Sequence, residues 1–352
     1  MDDPSMRSVS NVFRRVLRRL RYVGAPGYEA AKLKEIAQFK DIKNIHELPE
    51  IFHYWSHTYV RPHLVAAGFE SIDDFYAKSL MRGVGANPRF LSVGAGYCDT
   101  EIRVAKLMKQ AGLAAFTFEC LELNPHLLER GRELARSEGM SEHMVFTEAD
   151  FNRWRPDTTY AGVMANHSLH HVVDLEGLFD AIGRALAPHG RFVTADMIGR
   201  NGHQRWPEAL EIVNRFWEEL PDAYRFNHQM DRMERTFVNW DCSVSGFEGI
   251  RAQDILPLLL ERFHFEYFHG FANVVAPFID RGFGHNFDAK AEWDRSFVDR
   301  LHAIDEEGFQ SGRLKPTQMF AVMTKDPVAA PVFTRGLSPD RAVRPTSAAQ
   351  PA

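Results

Sequence analysis

The chain has 352 residues, 45% of them hydrophobic and 25% charged, and a net charge of −5. That is a globular composition, long enough for a substantial core and more than one unit, and its charge excludes a protein built as a whole to bind polyanions. Three widely spaced cysteines (Cys98, Cys120 and Cys242) form neither a disulfide framework nor a paired zinc motif and fit a reducing, cytoplasmic setting, and neither a membrane-spanning run nor a signal peptide is expected.

Residues 1–10 read as disordered. Residues 11–22 read as a basic amphipathic helix, with Val12, Phe13, Val16, Leu17 and Leu20 on one face and Arg14, Arg15, Arg18, Arg19 and Arg21 around them. Such a helix docks on its own domain or makes a peripheral membrane or partner contact. Further helices, among them Glu29–Phe39 and Ser71–Leu80, make 11–85 a helical N-terminal segment or lid.

The core begins at Arg89. Phe90–Val93 reads as a strand, followed by the bend Gly94-Ala95-Gly96 and a helix over Thr100–Ala111. Glycines there let the backbone turn sharply and approach a ligand, while the helix N-terminus favours a ribose-bearing or anionic occupant. Ala115–Leu121 is the second strand, and Asn124-Pro125 supplies an N-cap and a first-turn proline for the next helix. Met144–Glu148, Gly162–Ala165 and Arg191–Asp196 are strands three to five, with a helix at Leu175–Leu186. This alternation predicts an α/β fold with a doubly wound parallel sheet. Residues 200–260 read as a helical cap insertion. Residues 261–325 hold a sixth strand (Phe263–His269), a second helical insertion that includes Ala289–Leu301, and a closing strand (Met319–Thr324). The Pro-, Ala- and Ser-rich stretch 326–352 reads as a disordered tail.

Ligands in such sheets lie outside the carboxyl ends of the strands. Strand two ends in Glu122, whose carboxylate can accept both hydroxyls of a ribose; Leu123 follows it. Strand three ends in Glu148-Ala149-Asp150-Phe151, where an acid can accept an adenine amine proton beside an apolar edge. Strand four ends in Asn166-His167-Ser168-Leu169-His170-His171, and histidine can take a proton from a nucleophile near neutral pH. No carboxylate–histidine ligand spacing is evident, so no metal is expected.

The segments Ser92-Val93-Gly94-Ala95-Gly96, Glu122-Leu123-Asn124-Pro125, Glu148-Ala149-Asp150 and Asn166 to His171 resemble, in order, the motifs of class I S-adenosylmethionine-dependent methyltransferases of the small-molecule type. The resemblance covers 88–198. It implies a Rossmann-like seven-stranded sheet with an antiparallel last strand, and S-adenosylmethionine as cofactor across 86–199. It places the cofactor against Ser92, Gly94, Ala95, Gly96, Glu122, Leu123, Asp150, Phe151 and Asn166, with Glu122 on the ribose and Asp150 at the adenine. Two positions depart from the pattern. Ser92 stands where the family often has an acid, and Cys98 where it often has a third glycine; Asp99 or Glu101 is the candidate replacement for the missing charge.

Methyl transfer from a sulfonium needs alignment and exclusion of water, and a hydroxyl acceptor gains from a base. His167, His170 and His171 are the catalytic candidates. The insertions offer Tyr54, Trp55, Tyr59, Arg61, Trp206, Arg225, Trp240 and His285 for a sugar, aromatic or carboxylate-bearing acceptor. Asp305-Glu306-Glu307 reads as a solvated helix face. The expected partner is a small molecule and not a nucleic acid, since the Asn/Asp-Pro-Pro-aromatic motif and a basic domain are missing; homo-oligomerisation stays open. Transfer or cyclisation of the aminocarboxypropyl arm, and a non-catalytic binding protein, are the alternatives.

Overall fold

The computed structural model describes residues 27–39 and 47–345. The basic helix expected at 11–22 lies outside them, as do residues 1–10 and 346–352.

Helix α1 (Tyr28–Phe39) is followed by α2 (Glu50–Trp55), a π turn at Ser56–Val60, α3 (Arg61–Ala66) and α4 (Ile72–Leu80), the last capped by the Ser71 hydroxyl. The core runs β1 (Arg89–Val93), α5 (Asp99–Gln110), β2 (Thr117–Glu122), α6 (Pro125–Ser137), β3 (Met144–Glu148), β4 (Tyr160–Asn166), α7 (Leu175–Ala185) and β5 (Leu186–Met197). Asn124 caps α6 as its type predicts, accepting from the His126 N–H at 3.0 Å. After β5 come α8 (Pro207–Glu219), a small hairpin of β6 (Phe226–Asn227) and β7 (Arg232–Met233), and α9 (Ala252–Leu260). Then follow β8 (His264–Phe271), α10 (Ala276–Ile279), α11 (Glu292–Ser311), β9 (Gln318–Thr324), β10 (Val332–Phe333) and α12 (Pro339–Ala342).

The main sheet has the order β10-β8-β9-β5-β4-β1-β2-β3. All its pairings are parallel except those of β9, which runs antiparallel to both β5 and β8. The expected seven strands are therefore eight. The extra strand pairs Val332 with Tyr267 and Phe333 with Phe268. It lies in the stretch read as a disordered tail, which is ordered through β10 and α12; a two-residue strand among prolines leaves no periodic trace in sequence.

Both sheet faces are covered, which is why β1 and β4 are nearly continuous apolar runs. On one face Phe75, Tyr76, Phe90, Ile102, Val104, Met108 and Leu128 pack together. On the other lie Leu175, Leu178, Phe179 and Ile182 of α7 with Ile255, Leu256 and Leu259 of α9. Helix α9 thus belongs to the covering layer, so 200–260 is not a single helical cap. Asp305 also differs from expectation. It is fully buried in α11, and its carboxylate accepts the N–H groups of Asn273, Val274 and Val275 at 2.8–3.2 Å. Three amide donors repay a charge-bearing group for leaving water.

Strand β1 has β2 on one side and β4 on the other, so the chain reverses its winding direction there. The crevice at that reversal is where doubly wound sheets bind ligands.

Candidate functional site

The bend after β1 is built by backbone geometry. Gly94 and Gly96 have φ of 70° and 56°, in the left-handed region that a side chain disfavours. The two glycines differ in their surroundings. A Cβ on Gly94 would lie 2.5 Å from the Ser168 Cβ, whereas one on Gly96 would meet nothing within 4 Å. Gly94 is needed for protein packing, and Gly96 faces open space. The hydroxyl of Ser168 donates to the Val93 carbonyl at 2.6 Å and so joins the ends of β1 and β4 across the crevice. Cys98, at the third-glycine position, also holds a left-handed φ of 63° at the N-terminus of α5, which explains why glycine suits that place.

Glu122 turns back onto this bend. One carboxylate oxygen accepts the Gly96 N–H at 2.9 Å, and the other accepts those of Leu123 and Asn124 at 2.8 and 2.9 Å. Burial pushes its pKa up; those three donors and the neighbouring His171 oppose the rise. The oxygen shared with Gly96 retains a lone pair for a further donor. Ser92 is buried, and its hydroxyl donates to Glu101 at 2.7 Å. The carboxylate absent from β1 is thus returned by the first turn of α5. Asp99 instead pairs with Arg103 at the surface. Burial raises the Glu101 pKa to about 7 against the pull of Ser92, and its second oxygen has no protein partner.

Asp150 accepts the Tyr28 hydroxyl on both oxygens, at 2.9 and 3.0 Å. Helix α1 therefore covers the β3 end of the rim, and Asn124 donates to the Ile36 carbonyl of the same helix at 3.1 Å. Phe151 is buried in the apolar layer with Leu121 and Val163. Asn166 accepts the hydroxyl of buried Tyr76 at 3.1 Å.

The three histidines after β4 part company. His167 is exposed, with a left-handed φ of 49°. His170 is buried, and its Nδ1 lies 2.6 Å from Asp196 at the end of β5. Asp196 also accepts the N–H groups of Ser168, Leu169 and Met197. The Nε2 of His170 lies 3.4 Å from Glu248, and that of His171 is at the same distance from the other oxygen of Glu248. His203 Nε2 approaches Glu248 to 2.5 Å. Burial alone lowers a histidine pKa, but Asp196 and Glu248 outweigh it and lift that of His170 to about 10. Burial works against Glu248 as well, and its histidine partners overcome it to hold the acid well below the usual range. Asp196 and Glu248 were not among the sequence candidates. The available signals were an acid at a strand end and an acid between Phe247 and Gly249 just before a helix.

The acceptor candidates are dispersed. Trp55 is core, Tyr54 donates to Asp299 of α11 at 2.9 Å, and Tyr59 stacks on His302 at 3.8 Å. Arg61 reaches the Glu70 carbonyl at 3.4 Å, and Arg225 the Leu220 carbonyl at 2.8 Å. Trp206 lies between Arg200 and Arg344, Trp240 is exposed, and His285 meets His228 edge-on at 5.4 Å. Tyr54 and Tyr59 tie the N-terminal helices to α11, Arg61 and Arg225 bond within their own segments, and none of these contacts joins the histidine cluster.

A family model described as Methyltransferase domain matches residues 52–248, which span the bend, Glu122 and the histidine cluster. The chain belongs to this methyltransferase family. Its members of class I use S-adenosylmethionine. The sterol 24-C-methyltransferase erg6 of Aspergillus fumigatus is 36% identical over 137 residues, 38% of this chain. The match spans only 34% of that protein's length. Among solved structures, geranyl diphosphate C-methyltransferase from Streptomyces coelicolor A3(2), in complex with Mg2+, geranyl diphosphate and S-adenosyl-L-homocysteine, is similar at 11% identity. It covers 84% of this chain and 98% of its own, with a TM-score of 0.47. A putative sarcosine dimethylglycine methyltransferase from Galdieria sulphuraria is similar at 15% identity over 76% of this chain and 87% of its own, with a TM-score of 0.40. Among the described residues, no helix is long and apolar enough to cross a membrane.

The residues present fit the family's cofactor. The bend leaves room at Gly96, and Glu122 offers an acceptor beside that room.

Proposed function

We propose that this protein transfers a methyl group from S-adenosylmethionine to an oxygen of a small molecule. The observation that carries the reading is the Glu122 carboxylate held against the open side of the glycine bend. In this arrangement Glu122 receives ribose hydroxyl protons, Gly94 to Gly96 pass beneath the methionine part, and Asp150 lies toward the adenine. Glu101, bonded to Ser92, supplies the acid that the methionine ammonium needs; protonated in the ligand-free chain, it ionises when that positive charge arrives beside it. The cofactor brings an activated methyl on sulfur, so no protein group has to activate the donor. The chain's own work is to fix sulfur, methyl and acceptor in line and to keep water out.

An oxygen-bearing acceptor is favoured by what lies beyond Glu122. His170, His171, His203, Asp196 and Glu248 make that rim polar and charged. Such a wall binds and orients hydroxyl or carboxylate groups and does not suit a bare hydrocarbon. The histidines serve the acceptor by holding it. His170 has Asp196 on Nδ1 and the Glu248 carboxylate facing Nε2, so it is not placed to take a proton from the acceptor.

The test has two stages. Calorimetry with S-adenosylhomocysteine should show one site in the unaltered chain, weakened in Glu122→Ala. Mass spectrometry of reactions with phenols, sugars and hydroxy acids should then give S-adenosylhomocysteine and a product heavier by one methylene. Methylthioadenosine as the nucleoside product overturns methyl transfer, and no heat of binding overturns the cofactor itself.

A further inference from the structure

Glu248 is met by three imidazole nitrogens: Nε2 of His170 and of His203 on one oxygen, and Nε2 of His171 on the other. Among the described residues, the ligand atoms of His170, His203 and Glu248 form a group lying within 4.8 Å of one another. The three residues come from separate segments, after β4, after β5 and before α9, and the backbone ties those segments together. The Ile250 N–H donates to the His170 carbonyl at 3.1 Å, and the Gly202 N–H to that of Gly249 at 2.9 Å. Gly202 and Gly249 both have a φ of 63°, and a Cβ on Gly249 would lie 3.0 Å from the His203 ring. The close approach is therefore built into the chain.

The protons decide what this group can hold. Asp196 accepts three backbone N–H groups and presents only lone pairs to His170, so His170 Nδ1 carries the proton between them. That leaves Nε2 facing a carboxylate oxygen at 3.4 Å. Two lone pairs facing each other repel, so a cation must sit between them, either a second proton or a metal ion. Charge-assisted N–H···O bonds close to about 2.7–2.9 Å, appreciably shorter than this gap. Two ligands about 2.0–2.1 Å from one ion at the tetrahedral angle lie about 3.3 Å apart, which matches the His170–Glu248 gap. The His203 Nε2–Glu248 Oε1 pair, at 2.5 Å, is spaced as a hydrogen bond, so uptake of an ion displaces the proton between them and opens that pair to the same spacing. A carboxylate behind the histidine, fixing its tautomer, is also the usual support of a metal-bound imidazole.

We propose that His170 Nε2, His203 Nε2 and Glu248 Oε1 form a binding site for a divalent transition ion of the zinc type, with Asp196 orienting His170 from behind. His171 holds the second oxygen of Glu248, so that carboxylate binds through one oxygen. Two imidazoles and one carboxylate are a borderline donor set suited to zinc and its neighbours, and three protein ligands leave a coordination position for an oxygen from outside. The side chains of His203 and Glu248 are 19% and 35% exposed against 5% for His170, so the ion enters from their side.

The test uses the full chain, stripped with a chelator and titrated with Zn2+ against a chromogenic competitor. One equivalent should bind tightly. His203→Ala and Glu248→Gln should each weaken it by more than about 100-fold, and Asp196→Asn by about 10- to 100-fold, the cost of losing an outer partner. S-adenosylhomocysteine binding and the circular dichroism spectrum check that each variant is folded. Co2+ bound to the unaltered chain gives a second readout that needs no variant. It should show d–d bands of a low-symmetry nitrogen and oxygen site without a thiolate charge-transfer band. Failure to take up an equivalent, uptake unchanged in both ligand variants, or a thiolate band overturns the site and leaves the cluster held by protons. None of these results depends on methyl transfer.

Discussion

Replacing Glu101 by glutamine isolates one buried ionisation. The carboxyl is 2% exposed, accepts one hydroxyl from Ser92 and has Asp99 and Arg103 as its charged neighbours. Its pKa rises from the ordinary 4.5 to about 7, chiefly through burial, so the folded chain keeps a proton that the unfolded chain releases. The stability this gives is complete below pH 4.5 and is lost as pH climbs through about 7. The whole difference amounts to about 3 kcal/mol, of which about 2.5 kcal/mol falls between pH 5 and pH 8. Glu101→Gln keeps the shape and the acceptor for Ser92 but cannot ionise. Urea denaturation of both proteins at pH 5 and pH 8 measures the change, because every other titrating group is common to the two and cancels. The variant should gain about 2–3 kcal/mol on the parent between these pH values. Parallel stability curves would refute a protonated Glu101 in the ligand-free chain.

The two glycines of the bend should separate by experiment. Gly94→Ala drives a Cβ into Ser168 and should lower stability by about 1–3 kcal/mol in a thermal melt. Gly96→Ala meets no protein atom and should cost about 1 kcal/mol of stability from its left-handed backbone, with a much larger loss of S-adenosylhomocysteine affinity in calorimetry. Equal effects of the two on affinity would remove the distinction between a packing and a ligand-facing glycine. Glu122→Ala should weaken S-adenosylhomocysteine binding by about 1–3 kcal/mol, read as the change in Kd, and an unchanged Kd refutes the ribose assignment. Arg251→Ala leaves buried Glu176 without its two-pronged partner and should destabilise the chain by about 3–5 kcal/mol in denaturant.

What could be read from the sequence was what is local. Strands of five to seven residues with buried apolar positions mark β1 to β4, helices follow β1, β2 and β4, and Gly94, Asn124 and Pro125 mark turns whose chemistry is set within a few residues; β5 starts at Leu186, ahead of the Pro188-His189-Gly190 turn signal that places its start at Arg191 in the sequence. The glycine bend and Glu122 were legible for the same reason. The histidine cluster was not, because its members at 170, 203 and 248 meet only once the segments leaving β4 and β5 cross. Spacing along the chain carries no trace of that meeting. His170 was visible as a candidate, but its role depends on Asp196 and Glu248, which no single motif links to it. The aromatic acceptor candidates misled for a different physical reason. Trp55 fills a core and Tyr54 and Tyr59 bind α11, since large rings gain most from burying their surface. Asp305 shows the reverse error: in a run of three acids it reads as solvated, and only the three amides from the loop after β8 explain its burial.

The two-residue strand β10 has a consequence for the chain's behaviour in concentrated solution. It occupies the outer rim of β8, whose sequence from His264 to Phe271 is rich in aromatic rings. An uncovered row of amides and carbonyls there is a template for a neighbour's backbone. Proteolysis ahead of Val332 would bare it, so the segment that carries β10 acts as a guard against self-association.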